Sequence, residues 1–279
     1  MKSALLKVKH SNIFKYLLKV NKKKWKHNAL FINDKKIRLE DRCYNSTILK
    51  FCDFIGVGVP RFCFHDRLFI AGNCRMCMVE IKSSFKPVIA CSTTLVRGMH
   101  IYTTSFFVKK ARENVMEFLL INHPLDCPIC DQAGECHLQD LSFEHGKAET
   151  RYEFQRRTFK KHDLGKNIQL HMTRCILCYR CVFIADQLTN KREHGILDRG
   201  DHAEIATHIE KSLGNEFIGN VIDVCPVGAL TDKTFRFKNR VWFLKPMDAH
   251  RDCPTCSGRV TLWNRGDEVY RVTARKDQW

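Results

Sequence analysis

Three groups of soft donors stand at spacings suited to binding metal: Cys63, Cys74, Cys77 and Cys91; His123, Cys127, Cys130 and Cys136; and Cys175, Cys178, Cys181 and Cys225. Thiolate sulfur and neutral imidazole nitrogen are the ligands of zinc and of iron-sulfur centres, and a Cys-x2-Cys pair lets one loop present two of them to one centre. The chemistry on offer is therefore structural metal binding or one-electron transfer. No Gly-x-Gly-x-x-Gly follows a strand-like run, so no dinucleotide or flavin site is expected. Catalytic residues in the bond-making sense are likewise not expected in this chain.

The first set has spacings x10, x2 and x13. One cysteine, a close pair and a distant fourth resemble the 2Fe-2S pattern of plant-type ferredoxins, whereas a structural zinc site usually pairs two short knuckles. Gly72 and Asn73, ahead of Cys74, are expected to let the backbone curl and aim N–H groups at sulfur. The second set, His-x3-Cys-x2-Cys-x5-Cys, is the middle station of the three along the chain. Its spacing alone divides evenly between a Cys3His zinc site and an iron-sulfur centre. An imidazole in place of a thiolate leaves a cluster one negative charge poorer, which taken alone raises its reduction potential. His137 is a rival ligand, disfavoured because adjacent residues seldom converge on one metal.

In the third set, a triplet at x2 spacing is followed 44 residues on by Cys225-Pro226. This resembles half of a bacterial-type two-cluster ferredoxin, in which the fourth cysteine of each run serves the other cluster. Ala185 stands where that fourth cysteine would complete the run, and Asn215, Ile218 and Val221 replace the second triplet. One cluster is therefore lost and one kept. Cys253 and Cys256 are too few for a cluster unless another chain contributes, and an unmetallated remnant is expected there. Cys43 and Cys52 lie outside every set and are expected to pack in the core.

The elements that must position these sets follow from the pattern between them. Leu30-Phe31-Ile32 and Lys36 to Leu39 read as strands around an Asn33-Asp34 turn, and Thr47 to Phe54 reads as a helix closed by Gly56. Strands are expected at 78–82, 88–91 and 100–103. A helix over 109–122, with Ala111, Val115, Phe118 and Leu119 on one face, delivers His123 before Pro124. The charged stretch 150–166 reads as a connection, and 173–188 as a helix carrying the cysteine triad. The segment 259–274 reads as a hairpin turning at Asn264 to Asp267. Hairpin, helix and cysteine-bearing loop make a compact α+β arrangement.

At 279 residues, with 15 cysteines and a formal charge of +17, the chain can bury a core and suits a basic metalloprotein. No signal-peptide pattern opens it and the cysteines read as metal sites, so a reducing compartment is expected. No apolar run of about 18 or more residues appears, so membrane association is expected only through partners. Residues 1–26 hold nine lysines and no acid. They are expected to form a retained basic arm rather than a targeting peptide, because transit peptides are typically rich in arginine and this segment has none.

The order and spacing of the sets resemble the amino-terminal iron-sulfur region of the largest peripheral-arm (75 kDa) subunit family of respiratory complex I. The residues that carry the resemblance are Pro60-Arg61-Phe62-Cys63, Gly72 to Cys77, Met116 to Leu120, His123 to Cys136 with Leu138-Gln139-Asp140, and Gly219 to Leu230. It implies one 2Fe-2S and two 4Fe-4S clusters, which settles His123, Cys127, Cys130 and Cys136 as iron-sulfur ligands. After the basic extension over 1–27 it also implies a fold: a β-grasp 2Fe-2S ferredoxin domain over 28–106 and a small helical His/Cys3 cluster domain over 107–146. A ferredoxin-like 4Fe-4S domain over 147–245 and the start of a molybdopterin-oxidoreductase-like domain over 246–279 complete it.

The family normally continues into that last domain, which is expected to be a separate polypeptide or lost. An extra cluster found there in bacterial members is not expected, since Val260 stands at its third cysteine position. The resemblance further implies an electron-transfer subunit of NADH:ubiquinone oxidoreductase that docks a flavin/NADH-binding subunit and a downstream 4Fe-4S subunit. Electrons are expected to enter near the His123 cluster or its neighbours and leave toward ubiquinone through the Cys175 cluster, with Arg174 and Arg180 tuning potentials.

Phe (19) outnumbers Gly (14) and Pro (7), a bias of AT-rich coding that favours a mitochondrially encoded protein on the matrix side of the inner membrane. The alternative location is the cytoplasmic face of a bacterial plasma membrane. Iron-only hydrogenases and a small subunit of NAD-reducing hydrogenases share the resemblance, but they usually keep both clusters of the ferredoxin-like module, which Ala185 opposes. A zinc-stabilised nucleic-acid-binding module suits the charge, yet the x10 and x13 gaps fit no finger and no recognition helix is evident.

Overall fold

The computed structural model describes residues 29–38, 46–153, 155–159, 164–189, 193–207, 213–214, 217–253 and 258–275. The basic stretch 1–27, Cys43 and Cys256 lie outside these residues. The described residues fall into two compact units: those of 29–59 with 78–108, and those of 60–77 with 109–275. The loop Pro60–Cys77, which carries three first-set cysteines, thus packs as part of the second unit.

The first unit is a five-stranded sheet in the order β2-β1-β5-β3-β4, built from β1 (Ala29–Ile32), β2 (Lys35–Arg38), β3 (Met78–Ile81), β4 (Val88–Ile89) and β5 (His100–Tyr102). Strands β1 and β5 run parallel and the other pairs antiparallel. Alternation sets the inner face: Leu30 and Ile32 are buried while Ala29 and Phe31 are only half so. The β1–β2 turn puts both Asn33 (φ 47°) and Asp34 (φ 64°) in the left-handed region, the type I′ geometry that matches strand twist. Asn33 is held there by Thr103, giving a hydrogen bond to its Oγ1 (2.9 Å) and accepting one from its backbone N–H (2.8 Å).

Helix α1 (Ile48–Phe54) starts at the Thr47 cap, whose hydroxyl accepts from Lys50 N, and buries Ile48, Leu49, Phe51 and Cys52. Its first N–H groups donate to the carbonyls of Thr93 and Ala90, which fixes the segment on either side of Cys91. Cys52 packs in this core, as expected for a cysteine outside the ligand sets.

Helix α2 (Phe106–Leu120) begins three residues earlier than the spacing predicts. Its inward stripe is Val108, Arg112 and Met116, flanked by the partly buried Val115 and Leu119. Phe118, expected on that face, is 73% exposed, because it falls on the opposite side of a helix whose stripe runs at i, i+4, i+8.

In the second unit, α3 (His137–His145) follows the second ligand set. The antiparallel pair β6 (Ile168–Leu170) and β9 (Leu230–Asp232) flanks helices α4 (Arg180–Thr189) and α5 (Asn220–Val224) and the hairpin β7 (His194–Leu197)–β8 (Glu204–Thr207). One apolar core runs from Phe62 and Met76 through Met116 and Leu138 to Leu164, Ile168, Leu170 and Ile205. Near the C-terminus β10 (Lys245–His250), β11 (Arg259–Arg265) and β12 (Glu268–Ala274) form an antiparallel sheet. The β11–β12 hairpin is as expected; β10 is the strand that its sequence, broken by Pro246 and charged residues, conceals. Among the described residues no helix is long and apolar enough to cross a membrane.

Candidate metal centres

Cys175 and Cys178 of the third set lie in a loop and Cys181 in the first turn of a helix, which covers only the later part of the span expected over 173–188. A 3-10 turn at Met172–Arg174 leads into Cys175, and Leu177 (φ 51°) and Tyr179 (φ 66°) adopt left-handed backbone, so α4 starts only at Arg180. The reason is geometric: on a helix, residues at i, i+3 and i+6 drift around the axis, whereas a coiled loop entering the helix turns three thiols toward one point. Cys175, Cys178, Cys181 and Cys225 line one small cavity whose other walls include Leu170, Ile205, Val227 and Leu230. Among the described residues no three His, Cys, Asp or Glu side chains converge on a single-ion site; these thiols surround a space.

Burial drives the third-set thiols upward, Cys178 to about 12, and pushes up Cys175, Cys181 and Cys225. Such thiols stay protonated at neutral pH unless a metal supplies the compensating charge. Backbone N–H groups of Val227, Leu230 and Ala229 face Cys225 and favour its thiolate. Leu177 N–H donates to Cys175 Sγ at 3.3 Å. Four thiols, apolar walls and amide donors aimed at sulfur fit an iron-sulfur cluster. Ala185, the position of the missing fourth cysteine, is buried on α4.

In the first set Cys63, Cys74 and Cys77 are buried within the loop Pro60–Cys77, and Cys91 is buried in the first unit. Cys63 and Cys74 are hydrogen-bonded to each other, which, with burial, raises the Cys74 thiol far above its ordinary value. Gly72 (φ 65°) and Arg75 (φ 58°) give the expected curl, and the N–H of Met76 faces Cys74. Asn73 acts differently from expectation: its side chain donates to the Leu177 carbonyl at 2.5 Å, tying this loop to the third set.

The second set occupies an irregular stretch between α2 and α3. His123 Nδ1 is buried without a hydrogen-bond partner. Burial, aided by Arg174, lowers the imidazole pKa to about 4, so it is neutral at pH 7 as a ligand must be. Cys136 caps α3, where burial lifts its thiol to about 11 against the pull of the Gln139 and Leu138 amides. Cys127 is exposed and Cys130 half-buried. The rival His137 is exposed on α3. The orphaned imidazole nitrogen and the helix amides directed at Cys136 fit an anionic cluster.

Arginines that the sequence reading did not single out hold this stretch. Arg156 donates to the His123 carbonyl (2.9 Å), and Arg240 donates to the carbonyls of Cys130 (2.6 Å) and Pro128. Arg271 forms a fork with Glu135 (2.7 and 2.8 Å), and the anticipated Arg174 pairs with Asp126 at 2.9 Å. Only Arg174 lies within a ligand motif; the others come from distant segments, so local spacing gives no sign of them.

The segment after Cys225 serves two sets at once. Pro226 O accepts from His137 N (3.2 Å) and from Cys136 Sγ (3.9 Å). A β-carbon on Gly228 would lie 2.2 Å from Cys130 Sγ, so any side chain here must displace that thiol from its present position. Through this segment and Arg174 the third set adjoins the second; through Asn73 and Arg180 it adjoins the first-set loop. The third set thus adjoins the His123 stretch because Cys225, 44 residues beyond its triplet, returns to lie against it. A wide cleft of the second unit runs past Arg61, Lys166, Asp223 and Arg271, and of the set members it is lined by Cys225 alone. It lies beside the ligand sets rather than around one.

Comparison with known proteins places all three sets in matched segments. Residues 29–105 match a family model described as a 2Fe-2S iron-sulfur cluster binding domain. Residues 112–151 match the NADH-ubiquinone oxidoreductase-G iron-sulfur binding region, and 165–231 the ferredoxin-like domain of NADH-quinone oxidoreductase subunit 3. A subunit of NADH-quinone oxidoreductase from Rickettsia felis is 46% identical over 84% of this chain and 35% of its own length. The mitochondrial NADH dehydrogenase [ubiquinone] iron-sulfur protein 1 of Solanum tuberosum is 48% identical over 83% of this chain and 31% of its own. The NADH-ubiquinone oxidoreductase 75 kDa subunit of Reclinomonas americana is 45% identical over 84% of this chain and 34% of its own.

The chain therefore spans about a third of the length of these relatives. A chain in a crystal structure of NAD+-reducing [NiFe]-hydrogenase in the H2-reduced state shares the fold, with a TM-score of 0.68 and 23% identity over 77% of this chain and 91% of that one. With its three ligand sets inside matched segments and identity near one half, the chain belongs to the family of the iron-sulfur region of the 75 kDa subunit of complex I, the NADH-quinone oxidoreductase.

Proposed function

We propose that this chain conducts electrons within NADH:ubiquinone oxidoreductase, from the flavin- and NADH-binding subunit toward ubiquinone. It holds one 2Fe-2S cluster on Cys63, Cys74, Cys77 and Cys91, and 4Fe-4S clusters on His123, Cys127, Cys130 and Cys136 and on Cys175, Cys178, Cys181 and Cys225. Bound there, the clusters supply one-electron chemistry; the chain's own residues fix their spacing, exclude water and surround them with amide and guanidinium donors. The observation that supports this reading is the segment Cys225–Gly228, whose Pro226 carbonyl accepts from Cys136 and whose Gly228 abuts Cys130, so that two proposed ligand sets adjoin. Adjoining redox centres are what a wire requires and what independent structural zinc sites do not.

Docking to the flavin subunit and to a downstream 4Fe-4S subunit follows from this role, as does a place on the matrix side of the mitochondrial inner membrane or the equivalent bacterial face. A hydrogenase wire is the second reading, favoured by the shared fold; linkage of NADH oxidation to quinone rather than to hydrogen separates the two. Metal analysis with EPR of the reduced protein tests the core claim: about 10 irons per chain, one 2Fe-2S and two 4Fe-4S signals are expected. Zinc in place of iron overturns it.

A further inference from the structure

Arg180 opens α4 between Cys178 and Cys181, with only 7% of its surface exposed. Its Nη2 donates to the carbonyl of Phe64, next to Cys63, at 2.5 Å, and its Nη1 to the carbonyl of Val224, next to Cys225, at 3.4 Å. One guanidinium therefore ties the backbone beside a first-set ligand to the backbone beside a third-set ligand. Its Nε is buried and has no hydrogen-bond partner. Burial opposes the charge on Arg180, while the sulfurs of Cys178, Cys63, Cys225 and Cys74 support it. A guanidinium keeps its charge even when desolvated, and the sulfurs that face this one belong to two ligand sets.

We propose that Arg180 is a positioning residue shared by the first- and third-set clusters, setting their spacing and raising both reduction potentials together. The inference rests on the proposed function, since it presumes a cluster at each set. Each cluster gains one electron on reduction and becomes more negative by one charge, so a fixed cation near both favours the reduced form of both. The Nε–H is left over by the two backbone ties and is buried without a partner, so it is available to a cluster sulfur. Arg174, by contrast, pairs with Asp126 and acts on His123 and Cys130.

The test is an EPR-monitored redox titration of the assembled complex carrying Arg180→Gln or Arg180→Lys. In R180Q the first- and third-set midpoints are expected to fall together by about 59 mV, the equivalent of a tenfold change in a one-electron equilibrium constant, with the His123 centre unmoved. R180K, which keeps the charge, restores both. All three signals present with both midpoints unmoved in R180Q overturns the inference but leaves the proposed function standing; absence of iron from the native protein overturns the function itself. An equal fall at all three centres, or equal loss of clusters in R180Q and R180K, reduces Arg180 to a structural tie and also overturns the inference. Should R180Q fail to assemble, native complex labelled with 15N-arginine decides: nitrogen hyperfine coupling at both reduced centres supports a shared guanidinium, and its absence from either refutes it.

Discussion

Replacing Gly228 with valine is expected to eliminate the cluster held by His123, Cys127, Cys130 and Cys136. A β-carbon at this position would meet Cys130 Sγ at 2.2 Å and Gln132 Cβ at 3.0 Å, well inside contact distance. Overpacking of this kind usually costs about 1–3 kcal/mol, which a folded domain survives. A metal centre is less forgiving, because its ligand distances tolerate only about 0.2 Å. The thiol cannot retreat freely, since Arg240 holds the carbonyl of the same residue at 2.6 Å. Iron content should drop from about 10 to about 6 per chain, with the 2Fe-2S signal retained and one 4Fe-4S signal gone. Full iron and three unaltered signals would show that the loop yields, and would remove Gly228 from the account of this centre.

The second large effect is expected from Cys178→Ala. Cys178 lines the third-set cavity together with Cys175, Cys181 and Cys225, and three thiols retain a 4Fe-4S cluster poorly. The third set adjoins the first-set loop through Asn73 and Arg180 and the second set through Pro226 and Gly228. Its loss therefore opens a gap in the wire. In the assembled complex, freeze-quench EPR after NADH addition should show whichever remaining centre lies upstream reduced promptly and the other left oxidised, with NADH:quinone activity at background. Equilibration of the two remaining centres at the native rate would mean that electrons bypass the third set.

What could be read from the sequence and what could not divides along the distance over which information acts. The candidate ligand sets could be picked out because each close group sits within a short stretch, and thiol spacing is itself the signal. The β1–β2 hairpin and α1 were legible because Asn33-Asp34 and Thr47 write their backbone geometry locally. The helix expected from residue 173 starts only at Arg180, because left-handed backbone at Leu177 and Tyr179, neither a glycine, leaves no trace in residue type. The adjacency of the second and third sets depends on where Cys225 lands. The grip of Arg240 and Arg271 depends on residues more than a hundred positions away. Gly228 stood in plain view inside Cys-Pro-Val-Gly, yet nothing short of the packed structure says which thiol requires it.

The double duty of Cys225–Gly228 bears on how the protein is built as well as on how it conducts. One end of this segment must await iron at its own cysteine, while the other forms part of the wall behind Cys130 and Cys136. Filling either cluster orders the backbone that the other needs, so maturation becomes a linked equilibrium in which the second insertion is easier than the first. Under iron limitation such a chain should divide into empty and doubly loaded 4Fe-4S forms, with few half-filled molecules between them. Native mass spectrometry of iron-starved preparations would display that division, and a dominant single-cluster species would argue that the two centres are filled independently.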